Sequence, residues 1–209
     1  MTNKQGILER QEKWLWPGVI PFGTITVVAG QSMVGKSEMA ADIALRISKG
    51  EPLPGMKNKV GGEAVFLSRW PGVLMFNEFK PPRRMKVQLL DVEEVPNLRH
   101  LRALAPLIAP ETKLLVVDHV PAFDGIIADR LREFAQSTGI AVLLMVELQP
   151  KRSGSRWNTK GSFLSRVRIV WVLESKKDRR VLRPVKTTLA PARSYAFRIV
   201  QSERPVWEA

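Results

Sequence analysis

The 209-residue chain contains no cysteine, which excludes disulfides and thiolate metal sites and fits an intracellular setting. It has two histidines, His100 and His119, too few for a conventional zinc site. No apolar run approaches the roughly 20 residues needed to span a bilayer. The opening stretch, MTNKQGILERQEKW, is polar and charged, unlike a secretory signal. The expectation is a soluble, cytoplasmic protein with no membrane partner. Internal repeats and Gly/Ser-rich linkers are also missing, so residues 1–209 are expected to form one domain.

Acidic residues are scarce in one half only. The chain carries 33 Lys and Arg against 20 Asp and Glu, a net charge of +13. Residues 151–209 hold 15 of these bases against 4 acids, a surplus of +11, and residues 1–150 hold 18 against 16, a surplus of +2. Clustered cations bind polyanions by releasing condensed counterions, so this asymmetry points to a nucleic acid, against the alternative of a solvated basic face.

The remainder is ordinary globular composition, with 44% hydrophobic residues, arranged in alternating patterns. Thr24–Ala29 is apolar and β-branched and reads as a buried strand. Ser37–Ser48 places Met39, Ile43, Ala44 and Ile47 on one helical face, with Gly50 as its stop. Glu63–Ser68 reads as a strand, Asn97–Ile108 as a helix and Leu114–Val117 as a strand. Asp124–Ser137 reads as a helix with Ile127, Leu131 and Phe134 inward, ended by Gly139, and Ile140–Val146 as a further strand. Prolines bar a continuous helix between Lys80 and Asn97, where Met85–Leu90 could be a short strand. Val167–Leu173, Val181–Lys186 and Tyr195–Val200 read as strands joined by charged turns. The expected fold is α/β, a mostly parallel sheet flanked by helices, with antiparallel strands at the C-terminal edge.

Between the first strand and the first helix stands GQSMVGKS, residues 30–37. Gly30, Gly35, Lys36 and Ser37 match G-x-x-x-x-G-K-[ST] in full. The glycines let backbone N–H groups of Gly30, Gln31, Ser32, Met33, Val34 and Gly35 turn inward around phosphates. Lys36 is placed for the β- and γ-phosphates, the Ser37 hydroxyl for Mg²⁺, and the helix dipole favours the same anion. The usual partner is an acid at the end of an apolar strand, and LLVVDH supplies Asp118.

With these residues in place, the stretch WLWPGVIPFGTITVVAGQSMVGKSEMAADIALRISKGEP resembles the opening of the RepA-like ATPases, plasmid and phage relatives of hexameric replicative helicases in the RecA superfamily. The resemblance resumes at LRALAPLIAPETKLLVVDHVPAFDG and returns at GSFLSRVRIVWVL. RRVLRPVKTTLAP is then similar to the family's Arg-x-Leu-x-x-x-Lys-x-Asn-x-x-Pro pattern, with Thr188 in the Asn position. It implies a RecA-like core, ATP with Mg²⁺, homo-oligomeric assembly into a ring (a hexamer in the helicases) or a filament, and action on single-stranded DNA. It also implies a finger residue reaching a neighbour's γ-phosphate. Lys186 falls on the family's Lys, and Arg193, Arg168 and Arg183 are further candidates.

Two departures bear on chemistry. After the second strand the family carries Ser-x-Glu-Asp, whose Glu orients the attacking water, and here the residues are Ser68-Arg69-Trp70-Pro71. After the strand that follows Asp118, the family often has a His, and here stands Glu147. Phosphoryl transfer depends on positioning and charge stabilisation, so hydrolysis is expected to be slow. Glu147 is the candidate substitute for the water-orienting role, with an ion pair to a nearby cation as its alternative, and Glu78 is a lesser candidate.

The stretch QPKRSGSRWNTKG, residues 149–161, leaves the end of a core strand. Lys151, Arg152, Arg156 and Lys160 could contact backbone phosphates while Trp157 stacks on a base, against the alternative of a surface loop whose tryptophan packs locally. In RecA-like rings the loop at this topological place lines the DNA channel. Trp14 and Trp16 are expected to pack on the core or stack on adenine. Three functions compete: an ATPase acting on single-stranded DNA in replication of a mobile element, a non-hydrolysing nucleotide-dependent DNA-binding adaptor, and a P-loop kinase of small molecules.

Overall fold

Continuous apolar runs of β-branched residues are what strands need when a sheet is covered on both faces. The computed structural model, which describes residues 14–68, 82–89, 103, 105–120, 125–148, 167–187, 193–199 and 204–208, shows that arrangement. After a small β1–β2 ribbon (Trp14–Trp16 and Ile20–Pro21) come β3 (Ile25–Gly30), α1 (Lys36–Lys49), β4 (Glu63–Ser68) and β5 (Met85–Leu89). They are followed by β6 (Thr112–Val120), α2 (Gly125–Thr138), β7 (Ala141–Glu147), β8 (Ile169–Lys176), β9 (Arg179–Thr187), β10 (Tyr195–Arg198) and β11 (Val206–Trp207).

Among the described residues, β3 to β11 form one nine-stranded sheet in the order β11-β10-β9-β8-β3-β7-β6-β4-β5. The stretch from β8 to β5 is parallel throughout, and β9, β10 and β11 add on as antiparallel strands at one edge. The fold class is therefore the expected one.

Each face of the sheet has its own core. On one side α1 packs Met39, Ala40, Ile43, Ala44 and Ile47 against Val28, Phe66, Met145, Trp171 and Leu173. On the other, Leu131 and Ala135 of α2 meet Ile25, Val27, Val142 and Leu144. Alternation along β3 makes this possible, since Val27 and Val28 point to opposite faces. α1 stops where its sequence signals a stop. Gly50 takes φ 66°, its N–H donates to the Ile47 carbonyl at 3.1 Å, and the Glu51 N–H donates to that of Arg46 at 2.8 Å, a Schellman ending.

One element differs from expectation. Most of the helix expected at Asn97–Ile108 lies outside the described residues; Ala103 is helical as expected, and the described end, Ala105–Leu107, is a short 3₁₀ turn. Pro106 lacks the N–H that an α-helical turn requires. Trp16 is 1% exposed in the α1-side core, with its indole N–H donated to the Pro54 carbonyl at 3.1 Å, and Trp14 packs against the same cluster. Of the two roles expected for these tryptophans, core packing is the one seen. No described helix is long and apolar enough to cross a membrane.

Candidate nucleotide-binding site

β3 delivers the chain to Gly30 at the carboxyl edge of the parallel strands, the edge where open α/β sheets bind ligands. One position of the following turn has no room for a side chain, and a second has a backbone that disfavours one. A Cβ on Gly30 would lie 2.8 Å from the Leu173 carbonyl oxygen and 2.9 Å from Val34 Cγ1. Gly35 sits at φ 95°, a left-handed conformation that favours glycine, and a Cβ there would collide with Ile199 Cδ1. Gln31, Ser32 and Met33 are exposed along the crest of the loop and Val34 is buried beneath it.

Lys36 opens α1 and is 6% exposed. Its ammonium donates to the carbonyls of Gly30 at 3.2 Å and Gln31 at 2.7 Å, curling the side chain back over the loop. Burial lowers its pKa, and the charges of Glu147, Asp118 and Glu38 oppose that shift. A poorly hydrated cation at a helix N-terminus is a setting that favours an anion.

Ser37 and Asp118 come together from opposite ends of the motif set. The Ser37 hydroxyl donates to Asp118 Oδ1 at 3.1 Å, and Asp118 is 1% exposed. The other oxygen, Oδ2, accepts from the Ser68 hydroxyl at 3.3 Å, because Ser68 and Asp118 are register partners on β4 and β6. Hydroxyl and carboxylate oxygens suit a hard cation such as Mg²⁺. Mg²⁺ commonly takes one or two protein oxygens and completes its shell with phosphate and water, and among the described residues no group of three or more His, Cys, Asp or Glu could hold a metal.

Glu147 ends β7 level with Gly30, and the next residue, Leu148, donates its N–H to the Gly30 carbonyl at 2.9 Å. Its carboxylate is the foremost of the charges that oppose the desolvation of Lys36. The structure thus brings Gly30, the loop, Lys36, Ser37, Asp118 and Glu147 to one place.

Other sequence candidates stand elsewhere. Lys186 pairs with Val170, which is level with Val27, about 10 Å back along β3 from Gly30. Arg193 stacks its guanidinium 5.2 Å from the Tyr195 ring centroid and lies against Gly55, in the turn after the far end of α1. Lys151, Arg152, Arg156, Trp157, Lys160, Glu78 and Arg69 to Pro71 fall outside the described residues.

Two features escaped sequence reading. Ser68 was visible only as the start of a departed motif, and its contact with Asp118 needs the parallel β4–β6 register. Asp42 of α1 is fully buried and accepts hydrogen bonds from Arg46, Arg204 and Trp207. The Arg204 and Trp207 contacts span more than 160 residues, and no local pattern announces them.

Residues 5–124, more than half of the chain, match the family model described as an AAA domain. No curated protein sequence matches the chain significantly. In three dimensions it is similar to the crystal structure of the RadB recombinase, with a TM-score of 0.61 over 87% of this chain and 89% of that one, at 15% identity. That likeness is one of fold. The chain belongs to the AAA-domain family and is built on the fold of the RecA-like P-loop ATPases.

Proposed function

We propose that the protein binds Mg-ATP in the loop of residues 30–37 and acts on single-stranded DNA as a slowly hydrolysing ATPase of the helicase or replication type, serving a mobile element and assembling as a ring. The observation that carries the nucleotide reading is the loop itself, with one position closed to side chains and a second that disfavours them, a desolvated Lys36 and the Ser37–Asp118 pair. In this reading backbone N–H groups of Gly30 to Gly35 bind the phosphates and Lys36 exchanges its two carbonyl partners for phosphate oxygens. Ser37 and Asp118 hold the Mg²⁺, Asp118 being oriented by Ser68. The metal supplies charge neutralisation on the phosphate chain when bound. Glu147, level with Gly30, is placed to orient water.

The DNA part rests on the +11 surplus of residues 151–209, with Lys151, Arg152, Arg156, Trp157 and Lys160 as the contacting set. The fold likeness to a recombinase accords with it. Lys186 or Arg193 reaches a neighbouring subunit's phosphate in the ring. A second reading, a non-hydrolysing nucleotide-gated DNA binder, is favoured by Ser68-Arg69-Trp70-Pro71 standing where the family has its acidic motif.

The deciding experiment is ATP hydrolysis at low salt with and without single-stranded DNA, using Lys36→Ala as the blank. DNA-stimulated turnover abolished by the substitution is the expected result. Tight ATP binding without turnover would favour the second reading. DNA binding that does not weaken with salt would refute the polyanion assignment.

A further inference from the structure

Among the described residues, the hairpin joining β8 to β9 carries beside the loop a cation with no carboxylate partner. Val172 is level with Ala29 and Leu173 touches Gly30, so the residues beyond Leu173 project past the carboxyl edge on the loop's side. Arg180 returns from the turn opposite Ser175. It shares a face of β9 with Leu182, two residues on, and Leu182 packs in the core that contains α1. The side chain therefore lies on the α1 face, and its Cγ is 3.8 Å from where a Cβ on Gly35 would stand.

The polar end of this arginine is under-used. Nη1 donates to the Ser175 hydroxyl at 2.9 Å, while Nε is buried without a hydrogen-bond partner. Most buried side-chain polar atoms have a hydrogen-bond partner, so this Nε keeps a donor to offer. The acids of this neighbourhood are engaged with other arginines. Glu174 pairs with Arg183, Asp178 with Arg198, and Glu208 with both Arg179 and Arg198. Among the described residues, no carboxylate pairs with Arg180.

We propose that Arg180 contacts the phosphate chain of a nucleotide held in the loop of its own chain, flanking the cradle from the side opposite β7. The inference rests on the nucleotide reading of residues 30–37. A guanidinium offers a planar fork of donors matched to a phosphate oxygen pair, and its charge is permanent. Lys36 works from inside the loop as a point charge. Arg180 works from outside it, through the hairpin, and ties the position of the C-terminal strands to occupancy of the site.

The test is calorimetric titration of ADP and GDP into the full chain, comparing wild type, Arg180→Gln, Arg180→Lys and Lys36→Ala, with thermal melting of each protein without nucleotide. Losing one charge-assisted contact weakens binding about 10- to 100-fold. We expect Arg180→Gln to lose that much for both nucleotides, Arg180→Lys to recover part of it, and the unliganded melting temperatures to stay together. ADP bound as tightly by Arg180→Gln as by wild type overturns the inference. A loss confined to ADP overturns it too, by moving Arg180 to the base. A lowered melting point that Arg180→Lys does not restore would make Arg180 part of the scaffold instead. A wild type that binds neither nucleotide, or a Lys36→Ala variant that binds as wild type does, refutes the loop reading first and this inference with it.

Discussion

Replacing Asp42 by alanine should destabilise the protein more than any change at its surface. The carboxylate is fully buried in α1, six residues after Lys36. Oδ2 accepts from Arg46 Nε at 2.8 Å and Trp207 Nε1 at 2.8 Å, Oδ1 accepts from Arg204 Nε at 2.9 Å, and Arg204 Nη2 stands 2.8 Å from Oδ1 as an ion pair. Arg204 reaches on to Glu51 at 2.9 Å. Burial acts to lower the Arg204 pKa, but its bonds to Glu51 and Asp42 outweigh that and raise it. Breaking a buried pair by removing one partner costs about 3–5 kcal/mol, because the other charge stays desolvated. The Arg204 side chain keeps 30% of its exposure and retains Glu51, which brings the expected loss to about 3 kcal/mol. For a chain of this length that is a melting temperature lower by about 6–12 °C.

The assay is thermal and denaturant unfolding of Asp42→Ala, Arg204→Ala and the double variant. Residues in one network couple by about 0.5–3 kcal/mol, so the double variant should lose clearly less than the two singles together. Additive losses, or an Asp42→Ala loss under about 1 kcal/mol, would refute the view that this cluster straps the C-terminal segment onto the phosphate-loop helix.

Three further outcomes follow from the same geometry. Glu51 has its pKa lowered, first by the hydrogen bond from Arg204 with burial opposing. Its contribution to stability is therefore present above the ordinary carboxylate range and is lost as pH falls through the lowered value. Glu51→Gln should flatten that acid limb in a pH series of unfolding midpoints, and an unchanged limb would dismiss the linkage. Gly35→Ala should cost about 1–3 kcal/mol from its left-handed backbone, since Ile199 Cδ1, the end of a flexible side chain, can move aside from the new methyl. An unfolding midpoint equal to wild type would refute the strain assigned to this turn. Glu147→Gln should leave ATP binding near wild type while lowering turnover about 10²- to 10⁴-fold, and full turnover rules Glu147 out as the water-orienting group.

Much of the fold was legible because its signals are local. β3, β4 and β7 are interior parallel strands, buried on both faces, and so read as β-branched or apolar runs in IleThrValVal, AlaValPheLeu and ValLeuLeuMet. α1 and α2 were read from 3.6-residue spacing and from Gly50 and Gly139, both of which take positive φ. Strand ends were less legible. β6 runs from Thr112 to Val120, beyond the apolar core of Leu114–Val117, because its ladder with β7 resumes after an irregularity between Val117 and Val120. No composition signal marks such a shift. The helix expected up to Ile108 tightens instead into a 3₁₀ turn at Ala105–Leu107, where Pro106 has no N–H to donate.

The amino-acid sequence alone determined the phosphate loop, because glycine spacing, Lys36 and Ser37 act within eight consecutive residues. It also determined the alternation of strand and helix, because side-chain periodicity follows from backbone geometry. Only the tertiary structure decided which distant groups meet. Ser68 meets Asp118 across 50 residues, Arg204 meets Asp42 across 162, and Arg180 comes to lie beside Gly35. Those pairings depend on strand order, and on burial that strips water from a charge until a distant partner replaces it. Neither is encoded in any local stretch of the chain.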